Sequence, residues 1–544
     1  MNNHSVTLCT ILVEESPQAL PLGVACVASS IKNLSVEFPD LKVNLVDFNL
    51  EQNLSVEKIT NELLSFESAI YCFSIFVWNK NLLVEVASEL KKINSNIVCI
   101  AGGPEVTANP KNFLTFDYVI SGEGEKVSYE LVKNIFNGTQ INEKILFGKR
   151  DSLENLTSPY LDKTLNPNKY NGALWELARG CPFKCSYCYE SKGDKKVEYF
   201  SFDRIKEELD LFVKNDIKQI FVLDPTYNVD KSRAIKLLDY IRQKANKIFF
   251  HFECRAEFIS DELAKAFSKI NCSLQIGLQS ASEEVLKTVN RNFNKKDFIK
   301  KISILNNYGI IFGFDLIYGL PKDNYEGFKN SIDFAISLYP NHVELFCLSV
   351  LPGTALYDDA AKLNLIYQTT PPYHVIQSDT FSKSDLEKSK KISYACNLFY
   401  SQGRAVTWFN SLLHLIKMKP SFFFEEFYKF LELKNKVDTE ICNHKEIELL
   451  QIAFVNELLT KKNLSKYFTL VKNIIELNGA LSRSYADGES SELSLSYHPD
   501  DLMCEYVQDL KFFLSNAQKF SCKILVKNNS IKFINKSNNR WKVF

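Results

Sequence analysis

Three cysteines in one short stretch have the type and spacing to do chemistry. Cys181, Cys185 and Cys188 lie at intervals of four and three within Ala-Arg-Gly-Cys-Pro-Phe-Lys-Cys-Ser-Tyr-Cys-Tyr-Glu. Three thiolates so close can hold three irons of a [4Fe-4S] cluster and leave the fourth iron open for reaction. The alternatives are a zinc site completed by a distant residue, or three unrelated thiols. Structural zinc sites usually have paired C-x2-C elements, and no second pair exists here, so the spacing favours the cluster.

The cysteine spacing reproduces the C-x3-C-x2-C signature of radical S-adenosylmethionine (SAM) enzymes, with Tyr187 as the aromatic residue before the last cysteine. The preceding Arg-Gly and the following Pro-Phe resemble the cobalamin-dependent branch of that family. The resemblance covers about the first 380 residues. It implies that the amino and carboxylate groups of SAM chelate the open iron. An electron from an external donor would then cleave SAM to a 5′-deoxyadenosyl radical.

Polar residues at the ends of predicted strands are candidates for binding SAM. SAM presents a carboxylate, a sulfonium, ribose hydroxyls and an adenine edge, so its pocket needs a cation, hydroxyl partners and backbone amides together. Among these candidates, the Gln279-Ser280 pair within Ile-Gly-Leu-Gln-Ser-Ala-Ser resembles the family most closely. The resemblance implies this SAM-binding set: Tyr187, Asp224, Glu253, Arg255, Gln279, Ser280, Arg291, Gly319 and Pro321. Taken singly, each is also compatible with a solvated loop side chain or an ordinary turn.

The elements that would position a second cofactor lie in the first 140 residues. Near-continuous apolar runs separated by helical segments predict a parallel sheet covered on both faces. The expected strands are Val6–Val13, Val43–Phe48, Ala69–Phe76, Asn96–Ala101 and Asp117–Ser121, with a helix from Leu22 to about Lys32. Ligands of such sheets bind beyond the carboxyl ends of the strands, where several glycines lie.

These strand-end segments resemble the cobalamin-binding domain that precedes many radical SAM barrels. The resemblance implies this cobalamin-binding set: Leu22, Gly23, Gly102, Gly103, Pro104, Gly122, Glu123, Gly124 and Glu125. The Asp-x-His-x-x-Gly element that supplies a histidine ligand to cobalt in other cobalamin proteins is missing. The chain therefore predicts either cobalamin without a lower histidine ligand or a domain that has lost the cofactor.

A second series of strands and helices follows a polar linker. Its expected strands are Ala173–Ala178, Gln219–Leu223, Ile248–Cys254, Cys272–Leu278, Ile310–Ile317 and Val343–Val350. Six such units predict an incomplete barrel, with the cysteine loop at its carboxyl-end face. From about residue 381 the pattern becomes helical, with phenylalanines crowding the segment 422–430 and a terminal strand pair expected at 523–535. A phenylalanine stripe is more typical of a core than of a cofactor site.

Composition limits the function classes. A length of 544 residues predicts two to four domains. The 65 Lys+Arg and 65 Asp+Glu cancel, so no global field would recruit nucleic acid or an anionic membrane. No signal peptide and no run of about 18 apolar residues is visible. With mostly solitary cysteines, these features predict a cytoplasmic protein in a reducing compartment.

The sequence thus predicts an α/β enzyme. Residues 1–140 would form a flavodoxin-like Rossmann domain of the cobalamin-binding type, 141–170 a linker, 171–380 a partial (β/α)6 TIM-type radical SAM barrel, and 381–544 a mainly helical capping domain. The expected cofactors are a [4Fe-4S] cluster, SAM and cobalamin, and the expected reaction is methyl transfer to an unactivated carbon of a small-molecule or peptide substrate. The alternatives are a radical SAM oxidoreductase, cyclase or rearrangement enzyme, and a non-catalytic sensor. No catalytic residue is assigned beyond the cofactor ligands.

Overall fold

The computed structural model describes residues 3–149, 152–192, 196–437 and 443–534. The chain forms two compact units, described separately below. Unit 1 comprises Met1–Leu274, Val289–Arg291 and Ser349–Val375, and unit 2 comprises Gln275–Thr288, Asn292–Leu348 and Ile376–Phe544. Across those four described ranges, no helix has the length and apolar character to cross a membrane.

Unit 1 begins with a six-stranded parallel sheet. Its strands are β1 (Ser5–Leu12), β2 (Lys42–Asn49), β3 (Ile70–Ser74), β4 (Val98–Gly102), β5 (Tyr118–Gly122) and β6 (Ile145–Gly148). The order β2-β1-β3-β4-β5-β6 reverses at β1 and β3. The predicted flavodoxin-like domain is confirmed, and ligands of such sheets bind beside the reversal point.

Helices cover both faces of this sheet. They are α1 (Leu22–Lys32), α2 (Val56–Leu64), α3 (Lys80–Ile93), α4 (Pro104–Ala108) and α5 (Glu125–Phe136). One apolar core packs α2 and α3 against the sheet, and another packs α1 and α5 against the opposite face. Burial on both faces explains why the strands are continuously apolar rather than alternating.

Strand β6 lies within the segment that the sequence analysis treated as linker. Only three apolar residues, Ile-Leu-Phe, stand there between polar neighbours, which is too short a run to identify a strand. Ile145–Gly148 nevertheless pairs in parallel with β5 at the edge of the sheet, and Phe147 is 71% exposed. An edge strand with one solvated face needs less apolar sequence than a central one.

The second series contains the six expected barrel strands and a short antiparallel pair beside the cysteine loop. In chain order these strands are β7 (Gly172–Glu176), β8 (Ala178–Arg179), β9 (Glu198–Tyr199), β10 (Gln219–Leu223), β11 (Phe249–Cys254), β12 (Cys272–Gln279), β13 (Ile311–Tyr318) and β14 (His342–Cys347). Unit 1 contains the order β7-β10-β11-β12, and unit 2 the order β12-β13-β14, because the unit boundary falls within β12. The predicted six-stranded partial barrel is confirmed.

Helices alternate with these strands, as expected for βα units. They are α6 (Phe202–Lys214), α7 (Lys231–Lys244), α8 (Asp261–Phe267), α9 (Glu283–Thr288), α10 (Lys295–Asn307), α11 (Tyr325–Ile336) and α12 (Ala355–Asp359), followed by strands β15 (Ile366–Tyr367) and β16 (Val375–Gln377). Ser201, Asp230, Ser260 and Asn324 each accept a backbone N–H at the start of a helix. These caps fix where the strand-end loops stop and the helices begin.

The rest of unit 2 is mainly helical, as predicted. Its elements are α13 (Lys383–Cys396), α14 (Phe409–Ile416), α15 (Pro420–Leu433), α16 (His444–Lys461), α17 (Phe468–Ala486), β17 (Ser491–Leu495), α18 (Pro499–Met503), α19 (Leu510–Asn516), β18 (Cys522–Lys527) and β19 (Ser530–Phe533). The expected terminal strand pair is confirmed, and β17 extends it to three antiparallel strands. Phe423, Phe424, Phe427 and Phe430 are buried and form a core, as predicted for the phenylalanine stripe, whereas Phe422 is 46% exposed.

Candidate functional site

The cysteine loop follows β7 and β8 in unit 1. Cys185 is buried, whereas Cys181 and Cys188 are partly exposed. The Cys188 backbone N–H donates to the Cys185 carbonyl at 3.1 Å. Ser186 anchors the loop at both backbone groups, because its N–H donates to Val289 at 3.0 Å and its carbonyl accepts from Leu356 at 2.8 Å. The loop is thus held in part by its main chain.

Hydrogen-bond donors surround two of the three sulfurs. Arg291 Nη1 lies 3.8 Å from Cys185 Sγ. Burial raises the pKa of the Cys181 thiol, while hydrogen bonds from the Phe183 backbone and the Thr226 hydroxyl oppose that rise. Donors directed at sulfur stabilise thiolates and are a common feature around iron–sulfur ligands.

These observations fit an iron–sulfur cluster better than a single metal ion. Within the described ranges, no group of three or more His, Cys, Asp or Glu side chains could hold one metal ion. A [4Fe-4S] cluster makes a different demand, because each thiolate binds its own iron. Cys181, Cys185 and Cys188 on one anchored loop are therefore the candidate ligands of such a cluster.

Asp224 and Arg255, two predicted SAM-binding residues, are buried in unit 1. Burial raises the pKa of Asp224 to about 6, although the Thr226 N–H, 3.2 Å from its Oδ1, opposes the rise. Arg255 pairs with Glu257, and its guanidinium lies 3.8 Å from the ring centroid of Phe183 in the cysteine loop. Arg255 therefore supports the cysteine loop through Phe183.

The three other predicted SAM residues of unit 1 differ in exposure. Glu253 is exposed at the end of β11, and its backbone carbonyl accepts from the Tyr227 N–H at 3.0 Å. Tyr187 is partly exposed; burial raises its pKa, and the nearby Arg291 opposes that effect. Arg291 is committed to Cys185, as described above.

The remaining four predicted SAM residues lie in unit 2, at the ends of β12 and β13. Gln279 has a left-handed backbone with φ +66°. Ser280 is fully buried, and its hydroxyl accepts the Ser282 N–H at 3.2 Å, so this side chain holds its own turn. Gly319 follows β13 with φ +86°, and the Pro321 carbonyl accepts from the Thr288 hydroxyl at 3.2 Å.

A cavity of about 690 Å³ opens in unit 1 at the carboxyl ends of β1 and β3. One wall comes from the segments that follow these strands, including the predicted cobalamin residues Leu22 and Gly23. The other wall comes from β7 and the cysteine loop, through Glu176, Arg179 and Glu190. The other predicted cobalamin residues, in the turns Gly102–Pro104 and Gly122–Glu125, do not line this cavity. The space lies where the strand order reverses, as expected for a ligand of this fold.

The predicted cobalamin glycines serve two different purposes. Gly103 has φ +103°, and a Cβ atom there would lie 2.7 Å from the carbonyl oxygen of Ile75. Gly122 has φ +100°, and a Cβ atom there would lie 2.3 Å from the carbonyl oxygen of Gly148. These two glycines are therefore required by the protein's own backbone, where the sequence analysis had expected a ligand. By contrast, a Cβ at Gly23 or Gly102 would have no atom within 4 Å, so these two positions face open space.

Arg179, two residues before Cys181, binds three carboxylates. Its guanidinium contacts Glu123 at 3.0 Å, Glu125 at 2.8 Å and Glu176 at 2.9 Å. The predicted cobalamin residues Glu123 and Glu125 thus bind a residue of the cysteine motif. Burial raises the pKa of Glu176, and the Arg179 charge opposes that rise. In the sequence Arg179 stands out only as part of a motif, because two of its three partners are more than 50 residues away.

A buried triad holds the segment after the Gly102–Pro104 turn. Lys80 Nζ donates to Glu105 at 2.9 Å and to the Tyr373 hydroxyl at 3.0 Å, while that hydroxyl donates to Glu105 at 2.8 Å. Burial alone would lower the pKa of Lys80, but its hydrogen bonds to Glu105 and Tyr373 raise it. The triad was missed by sequence analysis because its members are far apart in the chain.

Aromatic rings and a carboxylate line the cavity near the first strand. Trp78 donates its indole N–H to the Ile11 carbonyl at 2.8 Å and stacks on Phe76 with ring centroids 4.6 Å apart. Glu14 accepts hydrogen bonds from Ser16 at 2.6 Å and Gln18 at 2.7 Å, which lower its pKa. Among the described residues that form the cavity wall, none is a histidine.

Three segments of the chain match known families. Residues 10–132 match the B12 binding domain, and residues 175–335 match the radical SAM superfamily. Residues 361–488 match a family described as a protein of unknown function, DUF4080.

Two relatives and one solved structure extend these matches. The uncharacterized methyltransferase PH0819 of Pyrococcus horikoshii is 26% identical over 407 residues, covering 69% of this chain and 86% of that protein. The cobalamin-dependent radical SAM methyltransferase TokK of Streptomyces tokunonensis is 24% identical and covers 53% of this chain, which spans about half (48%) of TokK. The structure of the cobalamin-dependent S-adenosylmethionine radical enzyme OxsB with aqua-cobalamin bound matches with a TM-score of 0.59 at 15% identity, over 89% of this chain and 84% of that one. Because the identity to OxsB is only 15%, this match establishes a shared fold and nothing further.

Proposed function

We propose that this chain, which joins a B12 binding domain to a domain of the radical SAM superfamily, is a cobalamin-dependent radical SAM methyltransferase. The observation that carries the proposal is the unit 1 cavity, whose two walls belong to the two matched domains. It is large enough for a sizeable ligand, and its second wall continues into the cysteine loop. The two matched relatives are named methyltransferases, which supports methyl transfer as the outcome.

Each cofactor has a proposed set of protein groups. Cys181, Cys185 and Cys188 would hold a [4Fe-4S] cluster, and the strand-end residues Asp224 and Arg255 of unit 1 would bind SAM. Cobalamin would occupy the cavity against Leu22, Gly23 and Trp78. When bound, the three cofactors would supply a radical that removes hydrogen from an unreactive carbon and a methyl group to replace it. The protein would hold the reactants and shield them from solvent.

The chain's own residues position and protect these groups. Arg291 places positive charge beside the Cys185 sulfur. The stacked rings of Phe76 and Trp78 present apolar surface to the cavity and exclude water from it. Arg255 fixes Phe183 and with it the direction of the cysteine loop.

The proposed substrate is a small molecule, and the proposed reductant is an external one-electron donor. The alternative is a radical SAM oxidoreductase or cyclase that works without cobalamin. Binding of cobalamin separates these two functions.

The test is anaerobic reconstitution with iron, sulfide and hydroxocobalamin. The methyltransferase proposal predicts that the protein cleaves SAM to 5′-deoxyadenosine and retains cobalamin through gel filtration. Cys181→Ala, Cys185→Ala and Cys188→Ala should each abolish SAM cleavage, whereas the partly exposed Cys522→Ala should not. SAM cleavage without cobalamin retention would favour the oxidoreductase alternative. No cleavage at all would refute both.

A further inference from the structure

Four residues of unit 1 form a charge cluster between the cysteine motif and the turn after β5. We call Arg179, Glu123, Glu125 and Glu176 the Arg179 clamp. The Arg179 side chain is 13% exposed, and those of Glu125 and Glu123 are 10% and 26% exposed. Three carboxylates therefore face one largely buried guanidinium.

This arrangement uses properties that only arginine has. The guanidinium is planar, stays charged and carries five donors in a fixed fork, so it can bind several carboxylates at once. Here Nε and Nη2 bind Glu176, Nη1 binds Glu123, and Nη2 also binds Glu125. Removing Arg179 would leave three carboxylates together without their shared cation, which is costly for partly buried groups.

The clamp connects three features of unit 1. Arg179 and Glu176 line the cavity, so a molecule bound there would restrict their movement. Glu123 lies in the turn after β5, and Glu125 begins α5. Arg179 is separated from Cys181 by Gly180 alone, and the left-handed φ of +93° at Gly180 fixes the direction in which the chain enters the cysteine loop.

We propose that Arg179 is a positioning residue that couples the cysteine loop to the cavity, so that filling the cavity fixes the loop. The inference deepens the proposed function and rests on it, because the molecule in the cavity is taken to be cobalamin. Nothing in it requires Arg179 to touch the reacting atoms. Through its three carboxylate contacts, Arg179 makes the mobility of the cysteine loop depend on whether the cavity is filled.

The first test needs no cofactor and measures the clamp itself. Amide hydrogen exchange of peptides within residues 179–190 is followed in the cofactor-free protein for Arg179→Gln, Glu125→Gln and the double variant. The clamp predicts at least tenfold faster exchange in each single variant and no further increase in the double variant. Lys91→Gln, which breaks the Lys91–Asp117 pair of the same unit, is the matched control and should leave the loop unchanged. Independent, additive effects of Arg179 and Glu125 would overturn the proposal.

The second test measures coupling, which a merely structural residue would not alter. Iron release to a chelator is timed for the reconstituted protein with and without saturating hydroxocobalamin, and the electron paramagnetic resonance (EPR) spectrum of the reduced cluster is recorded in both states. In the wild type, cobalamin should slow iron release at least fivefold and change the cluster spectrum. In Arg179→Gln both responses should disappear even at saturating cobalamin, and Arg179→Lys should restore part of them.

The outcomes separate this inference from the proposed function. If the wild type binds iron and cobalamin but shows no response, or if Arg179→Gln keeps the full response, the coupling role is refuted and the proposed function stands. If the wild type binds neither iron nor cobalamin, the proposed function fails and the inference fails with it.

Discussion

The Tyr189 hydroxyl donates to the carbonyl oxygen of Pro104 at 3.3 Å. Tyr189 directly follows the last cysteine of the cluster motif, and Pro104 ends the turn that was predicted to bind cobalamin. With Arg179 on the other side, the cysteine loop is flanked by two residues that contact carboxyl-end turns of the first sheet. The two motifs recognised separately in the sequence are therefore in direct contact within unit 1.

This contact predicts the effect of Tyr189→Phe. The substitution keeps the ring and removes the hydroxyl with its contacts to Pro104 and Thr107, which should cost about 1 kcal/mol of local stability. Hydrogen exchange should become about fivefold faster in both the cysteine loop and the turn around Pro104, while the rest of unit 1 stays unchanged. Tyr240→Phe, which removes an exposed hydroxyl contact with Asp210, is the control. Faster exchange in only one of the two segments would contradict the contact.

The buried triad makes a prediction about stability. Lys80→Met would leave the buried Glu105 carboxylate without its cation and should reduce the free energy of unfolding by about 3 kcal/mol. Tyr373→Phe removes only a hydroxyl and should cost about 1 kcal/mol. Lys92→Met, at the exposed pair with Glu89, should change stability by less than about 0.5 kcal/mol. Denaturant unfolding measures all three, and equal losses for Lys80→Met and Lys92→Met would show that the triad does not stabilise the fold.

Asp224 predicts a dependence of stability on pH. Burial raises its pKa from 3.8 to about 6, so the folded state binds a proton more tightly than the unfolded state. At low pH the protonated Asp224 therefore contributes to the stability of the folded state, and this contribution is lost as the pH rises from about 4 to 6. Asp224→Asn should be more stable than the wild type by about 3 kcal/mol at pH 8, and the two should converge near pH 4. The comparison uses denaturant unfolding at both pH values.

The exposed Asp239→Asn serves as the control for that series. Its pKa is lowered by a hydrogen bond from Arg242, so the substitution should bring no gain at pH 8. A gain for Asp224→Asn that does not depend on pH would contradict the burial argument. Retaining a carboxylate at such a cost is typical of a functional position, which agrees with the proposed SAM-binding role of Asp224.

The cavity wall predicts the state of bound cobalt. Because no described wall residue is a histidine, the described wall offers no imidazole to cobalt, and cobalamin is predicted to bind with its own benzimidazole displaced from the metal. The EPR spectrum of the cobalt(II) form should therefore lack splitting from an axial nitrogen. Free cob(II)alamin, whose own benzimidazole coordinates cobalt, is the control. Nitrogen splitting in the protein-bound form would contradict the prediction, because it would mean that the benzimidazole of the cofactor or an imidazole outside the described wall coordinates the cobalt.

The sequence predicted those features that depend on local patterns. Buried strands such as Ser5–Leu12 are continuously apolar, and the cysteine spacing lies within one loop, so both could be recognised directly. Strand β6 was missed because its apolar run is only three residues long. The flavodoxin-like class of the first domain followed from a family resemblance combined with the alternation of strands and helices.

Contacts between distant residues could not be predicted in this way. The cobalamin-binding role of Glu123 and Glu125 stays a prediction, and their ion pairs with Arg179 were not foreseen. Tyr373 is 268 residues from Glu105, its hydrogen-bond partner, and no spacing rule relates them. Gly122 was expected to admit a ligand, whereas it makes room for the backbone of Gly148. Each of these needed the three-dimensional arrangement of strand ends, which local sequence patterns do not specify.

The most direct test of the central claim follows a methyl group from SAM. The protein is reconstituted anaerobically with iron, sulfide and cobalamin, reduced, and incubated with SAM carrying a deuterated methyl group. The account predicts about four irons and one cobalamin per chain, deuterated methylcobalamin detectable by mass spectrometry, and loss of the iron in Cys181→Ala. Stoichiometric zinc in place of iron, or a protein that binds the cluster but never acquires labelled methylcobalamin, would contradict it.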